Sequence, residues 1–229
     1  MQQYEVEIKS LLGSEENAET LRERMKIVDP NWRLTSRNKQ LNHYFLGGDF
    51  AKLAALVAPH LSPEAFKKLQ DIVARLAGQS GNEFSVRTRD KDGSVLLVVK
   101  VSLGEDTSQN GVARMEFEEK ANLNLDDLDQ MLISAGFQYQ AKWSREREEY
   151  AVNGVSICLD RNAGYGWLAE FEKVVGSEAE VEPARQEVRA LMEQFGAREL
   201  EQERLERMFA FYNAHWSEYY GTDKVFTVR

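Results

Sequence analysis

Several residue types and patterns that mark common protein classes are scarce or missing here. The 229 residues include a single cysteine, Cys158, which excludes an internal disulfide and a cysteine-rich zinc site. The three histidines, at positions 43, 60 and 215, do not show the spacing of metal ligands. No apolar run approaches the roughly 20 residues that cross a bilayer, and the first residues lack the basic and apolar parts of a signal peptide. We therefore expect a cytoplasmic protein with no membrane contact.

Basic residues are fewer than acidic ones, 29 against 38. The formal net charge of -9 argues against a general nucleic-acid binder, because such proteins carry a basic surface. A cationic site enclosed by an acidic shell stays compatible with this total. The hydrophobic content of 42% is enough to build a sizeable core, and we expect residues 1–229 to form a single domain.

The first predicted strand, from Tyr4 to Lys9, separates charged from apolar side chains. Side chains of a strand alternate between its two faces, so Glu5, Glu7 and Lys9 share one face and the apolar residues share the other. Taken alone, this pattern is typical of any strand with one face in water. Its meaning depends on whether other strands repeat it.

Seven further strands follow, several of them joined by hairpin signals such as Asp92-Gly93 and Asn153-Gly154. The predicted strands cover about residues 39–46, 83–90, 94–102, 112–120, 138–151, 155–160 and 166–176. Helices are predicted as an insertion at about 49–78, at about 125–135, and near the C-terminus at about 178–215. Another helix follows the first strand, with Ser14 as its N-cap. The pattern indicates an α+β fold with mostly antiparallel strands.

Charged side chains recur at two-residue spacing in nearly every one of these strands. The acidic members of this set are Glu5, Glu7, Glu116, Glu118, Asp160, Glu170 and Glu172, and the basic members are Lys9, Arg87, Arg89, Lys100, Arg114, Arg145 and Arg147. An open sheet with one solvated face could show such alternation. However, the opposite faces are apolar and several amphipathic helices are available to cover them, which favours a closed eight-stranded antiparallel β-barrel with the charges inside.

So many enclosed charges are costly unless they are paired or occupied by a ligand. Arginine and lysine bind phosphate oxygens, and clustered glutamates are suitable ligands for Mg²⁺ or Mn²⁺. A polyphosphate chain bound together with a divalent metal ion would pair with both the basic and the acidic residues of this set.

His43 is out of phase with Tyr44 and is expected on the outer face, and Cys158 is expected to be a small filler on the inner face.

Six segments, in this order, resemble the CYTH superfamily, the triphosphate tunnel metalloenzymes. They are Glu5-x-Glu7-x-Lys9, Arg87-x-Arg89, Arg114-x-Glu116-x-Glu118, Arg145-x-Arg147, Leu159-Asp160 and Glu170-x-Glu172, with Lys100 and Tyr44-Phe45 between them. The resemblance covers about residues 4–213. The sequence departs from the family at Asn42 and Leu46, where aspartate is frequent, and at Gly166-Trp167-Leu168, where the family often has Gly-Asp-Phe.

The resemblance implies an eight-stranded tunnel covered by helices, in which basic residues bind a triphosphate and glutamates hold metal. It implies that the main metal ligands are Glu5, Glu7, Glu170 and Glu172, with Glu116, Glu118 and Asp160 in secondary positions. The implied triphosphate ligands are Lys9, Arg87, Arg89, Lys100, Arg114, Arg145 and Arg147. Lys9 could also fix the neighbouring glutamates, so the implied catalytic set is Glu5, Glu7, Lys9, Glu170 and Glu172.

Three functions fit this resemblance. The first is a metal-dependent hydrolase of inorganic triphosphate or an organic triphosphate. The second is a class IV adenylyl cyclase that converts ATP to cyclic AMP and pyrophosphate, and the third is a sensor without catalysis. All three imply a small-molecule triphosphate as ligand (tripolyphosphate, ATP or another organic triphosphate) with Mg²⁺ or Mn²⁺, and a monomer or homodimer that does not bind nucleic acid.

Overall fold

The computed structural model describes residues 4–77, 84–102 and 114–227, with the backbone alone at 75–77, 101–102 and 114–116. The strands in these residues are β1 (Tyr4–Gly13), β2 (Arg33–Gly47), β3 (Phe84–Lys91), β4 (Ser94–Ser102), β5 (Arg114–Lys120), β6 (Phe137–Val152), β7 (Val155–Asn162) and β8 (Gly166–Val175). The α-helices are α1 (Glu15–Val28), α2 (Phe50–Val57), α3 (Pro63–Ala77), α4 (Leu125–Ser134), α5 (Val181–Phe195) and α6 (Gln202–Tyr219).

The eight strands form an antiparallel barrel in the order β1-β5-β4-β3-β2-β6-β7-β8. Long registers join most neighbours, as between β1 and β8, where Glu7 lies opposite Glu172 and Lys9 opposite Glu170. The seam between β1 and β5 is the exception, since one register pair, Glu5 with Arg114, joins these strands in the described residues. The predicted α+β fold with an eight-stranded antiparallel barrel is confirmed. Among the described residues, β1 and β5 are the neighbouring strands with the fewest paired residues.

Hairpin turns fix the registers at two places that the sequence had marked. Asp92 and Gly93 have φ angles of 50° and 82°, and Asn153 and Gly154 have φ angles of 47° and 77°. Two consecutive residues with positive φ form the type I′ turn, whose twist matches that of paired strands. Because side chains alternate along each strand, these registers decide which residues point into the barrel.

Helices α2, α3 and α4 cover one side of the barrel. Their buried residues, among them Leu53, Leu69 and Leu128, pack against the apolar outer faces of β2 to β5, which include Val86 and Leu97. The predicted insertion at about 49–78 thus forms helices α2 and α3, joined by a short 3-10 turn, on the outside of the sheet, and its last residue lies outside the described part of the chain. Burying a leucine in such a cluster stabilises the fold by about 1.5–3 kcal/mol.

Helices α1 and α5 cover the opposite side. Met25 of α1 and Val188 of α5 pack with Ile8, Ile157 and Phe171 on the outer faces of β1, β7 and β8. This packing explains why the outer residues of these strands are apolar. Among the described helices, none is both long and apolar enough to cross a bilayer.

Helix α6 lies across one end of the barrel. Leu205 and Met208 pack with Leu168 and with Leu11, which lie at the end where β1 finishes and β8 begins. Tyr212 packs against Trp143 of β6, with ring centroids 4.0 Å apart, and donates a hydrogen bond to the carbonyl oxygen of Lys142 at 2.9 Å. The helix therefore covers this end of the tunnel and extends to Tyr219, beyond the boundary of about 215 that the sequence predicted.

Candidate active site in the barrel interior

The barrel encloses a cavity of about 440 Å³. The predicted inward residues that line it are Glu5, Glu7, Lys9, Arg87, Arg89, Lys100, Glu118, Arg145, Arg147, Glu170 and Glu172. Asp160 has no exposed surface, and its carboxylate is bonded to Arg145 and Arg147. Arg114 and Glu116 lie opposite Glu5 and Lys100 by backbone register, and their side chains lie outside the described part of the chain.

Three glutamates of β1 and β8 bring their carboxylates together. One oxygen from each of Glu5, Glu7 and Glu172 lies within 4.8 Å of the others, close enough to bind a single ion. Burial and the nearby carboxylates of Glu170 and Glu5 outweigh the attraction of Arg147 and raise the pKa of Glu172 to about 7. The raised pKa reflects the burial of this carboxyl group beside two other acidic side chains.

The two lysines of the cavity lie against this cluster. The Lys100 ammonium is 3.1 Å from Glu5 Oε2 and 3.8 Å from Glu7 Oε2. Lys9 pairs with Glu7 on its own strand and lies 3.9 Å from Glu170 Oε1. The lysines thus hold the glutamate side chains in place, which is the lesser role that the sequence suggested for Lys9.

A second cluster joins β6, β7 and β8 around a buried carboxylate. Asp160 accepts hydrogen bonds from Arg147 Nε at 2.7 Å, from Arg147 Nη2 at 2.6 Å and from Arg145 Nη1 at 2.7 Å. Arg147 also pairs with Glu170. Burial alone would raise the pKa of Glu170, but Arg147, Lys9 and Arg145 hold that pKa well below its usual range. Glu170 is therefore an anion, and its carboxylate and that of Asp160 orient the two arginines.

Two arginines of β3, Arg87 and Arg89, line the side of the cavity across from the carboxylate cluster. Arg89 donates two hydrogen bonds to Glu118, at 2.7 and 2.9 Å, and Arg87 donates one to the hydroxyl oxygen of Tyr44 at 2.7 Å. Burial would raise the pKa of Tyr44, but Arg87, Arg145 and Arg89 together lower it to about 8. The lowered pKa reflects the positive charge of these three arginines, which lie across the cavity from the carboxylates of Glu5, Glu7 and Glu172.

A row of buried amides along β2 supports these arginines. Gln40 accepts from Arg145 Nε and Asn42 accepts from Arg89 Nε, both at 2.8 Å. Gln40 in turn donates to Asn38 at 2.8 Å. Because amides carry no charge, they fix the guanidinium groups without neutralising them. Their role was missed from the sequence, although Gln40, Asn42 and Tyr44 alternate along this strand.

Two other expectations concern residues near the cavity. Cys158 is buried in the inner wall, and burial raises the pKa of its thiol well above the ordinary value, so it is not an activated nucleophile. His43 lies on the outer face of β2 and is buried there. Its Nδ1 is 2.6 Å from Asp129 Oδ2 and its Nε2 is 2.7 Å from the Tyr220 hydroxyl. This network ties the end of α6 to β2 and α4.

Comparison with known families agrees with this architecture. The CYTH domain matches residues 73–204, more than half of the chain. The chain belongs to the CYTH family. The match begins in α3 and so leaves out β1 and β2, but the barrel joins both strands to the matched part, and Glu5 and Glu7 of β1 contribute to the same cavity as Glu172.

Solved structures resemble this CYTH protein in fold. A conserved hypothetical protein from Pyrococcus furiosus has 19% identity and a TM-score of 0.59, with 86% of this chain and 95% of that chain covered. A protein from Vibrio parahaemolyticus described as a putative adenylate cyclase has 19% identity and a TM-score of 0.57, with 90% and 99% covered. At this identity the likeness concerns the fold. No curated protein sequence matches the chain significantly.

Proposed function

We propose that this CYTH protein is a divalent-metal-dependent hydrolase of a triphosphate, inorganic or organic, held inside the barrel. The observation that carries the proposal is that one cavity contains a cluster of three carboxylates and, across from it, a group of guanidinium groups. The carboxylates of Glu5, Glu7 and Glu172 form one wall, and the guanidinium groups around Tyr44 form the other. A chain of phosphates would pair with the guanidinium groups, and a divalent cation beside it would pair with the carboxylates.

The carboxylate cluster fits Mg²⁺ or Mn²⁺. Both ions prefer oxygen ligands, and Glu5, Glu7 and Glu172 offer three oxygens within reach of one ion. When bound, such an ion would neutralise charge on the phosphate oxygens and make water a better nucleophile.

The remaining residues bind and orient the substrate. Arg87, Arg89 and Arg145 are held by Tyr44, Glu118 and the β2 amides, so their guanidinium groups are already in position for phosphate oxygens. The carboxylates of the opposite wall accept hydrogen bonds from water and direct it at a terminal phosphorus. Catalysis on this account is positioning and charge stabilisation, which is how phosphoryl transfer is generally accelerated.

Adenylyl cyclase activity is the alternative, since the neighbour from Vibrio parahaemolyticus is described as a putative adenylate cyclase. The same tunnel would then bind ATP, and the ribose 3′ oxygen would attack the α-phosphorus with pyrophosphate as the leaving group. Product analysis separates the two reactions. The purified protein is incubated with tripolyphosphate or ATP and with Mg²⁺ or Mn²⁺, and phosphate, pyrophosphate and cyclic AMP are resolved.

Hydrolysis predicts phosphate and pyrophosphate from tripolyphosphate, or phosphate and ADP from ATP, with no cyclic AMP. Cyclic AMP together with pyrophosphate would refute the hydrolase, and no turnover with either metal would refute catalysis altogether. Glu172→Gln should lower turnover by at least about 100-fold, the size of loss seen when a charge-stabilising group is removed from an active site. Glu178→Gln is the matched control, because Glu178 is exposed.

A further inference from the structure

The β2 amides, Asn38, Gln40 and Asn42, form one continuous hydrogen-bonded chain, and each is at most 5% exposed. Asn42 donates to Gln40 at 3.5 Å, and Gln40 donates to Asn38 at 2.8 Å. Asn38 ends the chain by donating to Ser36 Oγ at 2.9 Å and to Glu149 Oε1 at 3.4 Å. Buried amides are costly unless their polar atoms are bonded, and this chain satisfies them along the strand.

Two arginines fix the direction in which this chain runs. Arg145 Nε donates to Gln40 Oε1 and Arg89 Nε donates to Asn42 Oδ1, both at 2.8 Å. A guanidinium group can only donate, so both amides must turn their oxygens toward the arginines and their NH₂ groups toward the next residue of the chain. The partially negative ends of these two amides therefore hold Arg145 and Arg89 by one nitrogen each.

The bonds at Nε leave the outer nitrogens of the two arginines for other partners. Arg89 uses Nη1 for Glu118, and Arg145 uses Nη1 for Asp160. Within the described part of the chain, Nη2 of these two arginines forms no hydrogen bond. Both side chains line the cavity, so the N–H groups of Nη2 can bind an anion there while Nε stays held by its amide.

The neutral charge of the amides matters as much as their geometry. An aspartate at position 42 would accept the same hydrogen bond from Arg89 but would place a negative charge beside it. Burial and the neighbouring Arg87 lower the pKa of Arg89 to about 10, against the attraction of Glu118, so Arg89 is charged at neutral pH. With an amide at Nε, that charge acts on a ligand without a second counter-charge from the protein.

We propose that Gln40 and Asn42 are positioning residues through which the tunnel selects its ligand by charge. They hold Arg145 and Arg89 in place with neutral acceptors, so both guanidinium groups meet phosphate oxygens in a fixed geometry and without a counter-charge at Nε. This inference rests on the proposed function, since it assumes that these arginines bind the phosphates. It follows that tripolyphosphate binds more tightly than the less charged diphosphate that its hydrolysis releases, which favours release of this product.

Two substitutions of Asn42 separate charge from position. Asn42→Asp keeps the acceptor and the size of the side chain but adds a negative charge, whereas Asn42→Leu removes the acceptor and adds no charge. Calorimetry in EDTA, which prevents metal-dependent turnover, gives the dissociation constants of tripolyphosphate and diphosphate.

The ratio of the diphosphate constant to the tripolyphosphate constant should exceed one in the wild type. It should fall about tenfold in Asn42→Asp, the effect of one charge on one additional ligand charge at roughly 10 Å inside a protein. Gln40→Glu, which places the charge beside Arg145, should lower the ratio in the same way. Asn42→Leu should instead weaken both ligands about tenfold, as expected when a hydrogen bond to a charged group is lost, and leave the ratio unchanged.

Asn31→Asp is the matched control, because Asn31 is exposed just before β2 and the substitution adds the same charge outside the barrel. It should leave the ratio unchanged. A wild-type ratio in both Asn42→Asp and Gln40→Glu, with tripolyphosphate still bound, would overturn selection by charge and leave the proposed hydrolase standing. Wild-type affinities in Asn42→Leu would overturn the positioning role. If the wild type bound neither ligand, the triphosphate site itself would be refuted, and this inference with it.

Discussion

Replacing Asp160 with asparagine removes one charge from a buried cluster while keeping the size of the side chain. Asp160 has no exposed surface and accepts three hydrogen bonds from Arg145 and Arg147. Removing one partner of a buried ion pair costs about 3–5 kcal/mol, because the other charge is left uncompensated. Since Glu170 remains beside Arg147, we expect the lower end, about 3 kcal/mol in the free energy of unfolding.

Urea unfolding followed by circular dichroism measures this loss, which corresponds to a fall in Tm of roughly 6–12 °C for a chain of this size. The variant should also gain more stability from added tripolyphosphate than the wild type does, because an anion compensates the two arginines that lost their partner. Asp223→Asn is the control. Asp223 pairs with Arg161 at 2.6 Å, but its side chain is 86% exposed, so the loss should be below about 1 kcal/mol.

An Asp160→Asn variant as stable as the wild type would refute the idea that Asp160 holds the arginines in the ligand-free barrel. Equal stabilisation of both proteins by tripolyphosphate would show that these arginines do not meet the phosphates.

Three further measurements test other parts of the account. The phenol of Tyr44 should ionise near pH 8 in the ligand-free protein. Because a bound anion raises that pKa, tripolyphosphate affinity should fall above pH 8 in the wild type but not in Tyr44→Phe, as calorimetry would show. Mn²⁺ affinity should rise up to about tenfold per pH unit below pH 7 and then level off, since binding displaces the proton of Glu172, and Glu172→Gln should lose this dependence. Tyr220→Phe removes the hydrogen bond to His43 and should lower the free energy of unfolding by about 1 kcal/mol in urea titrations, and an unchanged value would show that this contact is not stabilising.

The alternation of charged and apolar residues was enough to predict the barrel and most of its inner face. In strands such as β1, charged and apolar residues alternate. Because helices cover the apolar face of such a strand, its charged residues must point into the barrel. The start of β2 was placed too late, at residue 39 instead of Arg33, because residues 33–38 are largely polar and exposed and carry no clear alternation.

Contacts between distant parts of the chain could not be predicted. Which arginine meets which carboxylate depends on strand register and tilt, so the bonding of Asp160 to Arg145 and Arg147 becomes visible only in the structure. The same holds for α6, whose residues Phe209 and Asn213 look like an ordinary helix face in sequence but line the end of the tunnel. A period of 3.6 residues predicts that a helix has a buried face and does not say what lies beneath it.

A crystal structure of the protein with Mn²⁺ and a non-hydrolysable imido analogue of triphosphate tests the central claim most directly. Anomalous scattering locates the metal ion independently of the phosphate density. The account predicts a manganese peak at coordination distance from Glu5, Glu7 and Glu172, with phosphate oxygens bonded to Arg87 and Arg145. Manganese outside the barrel, or an analogue bound away from the arginines, would contradict it.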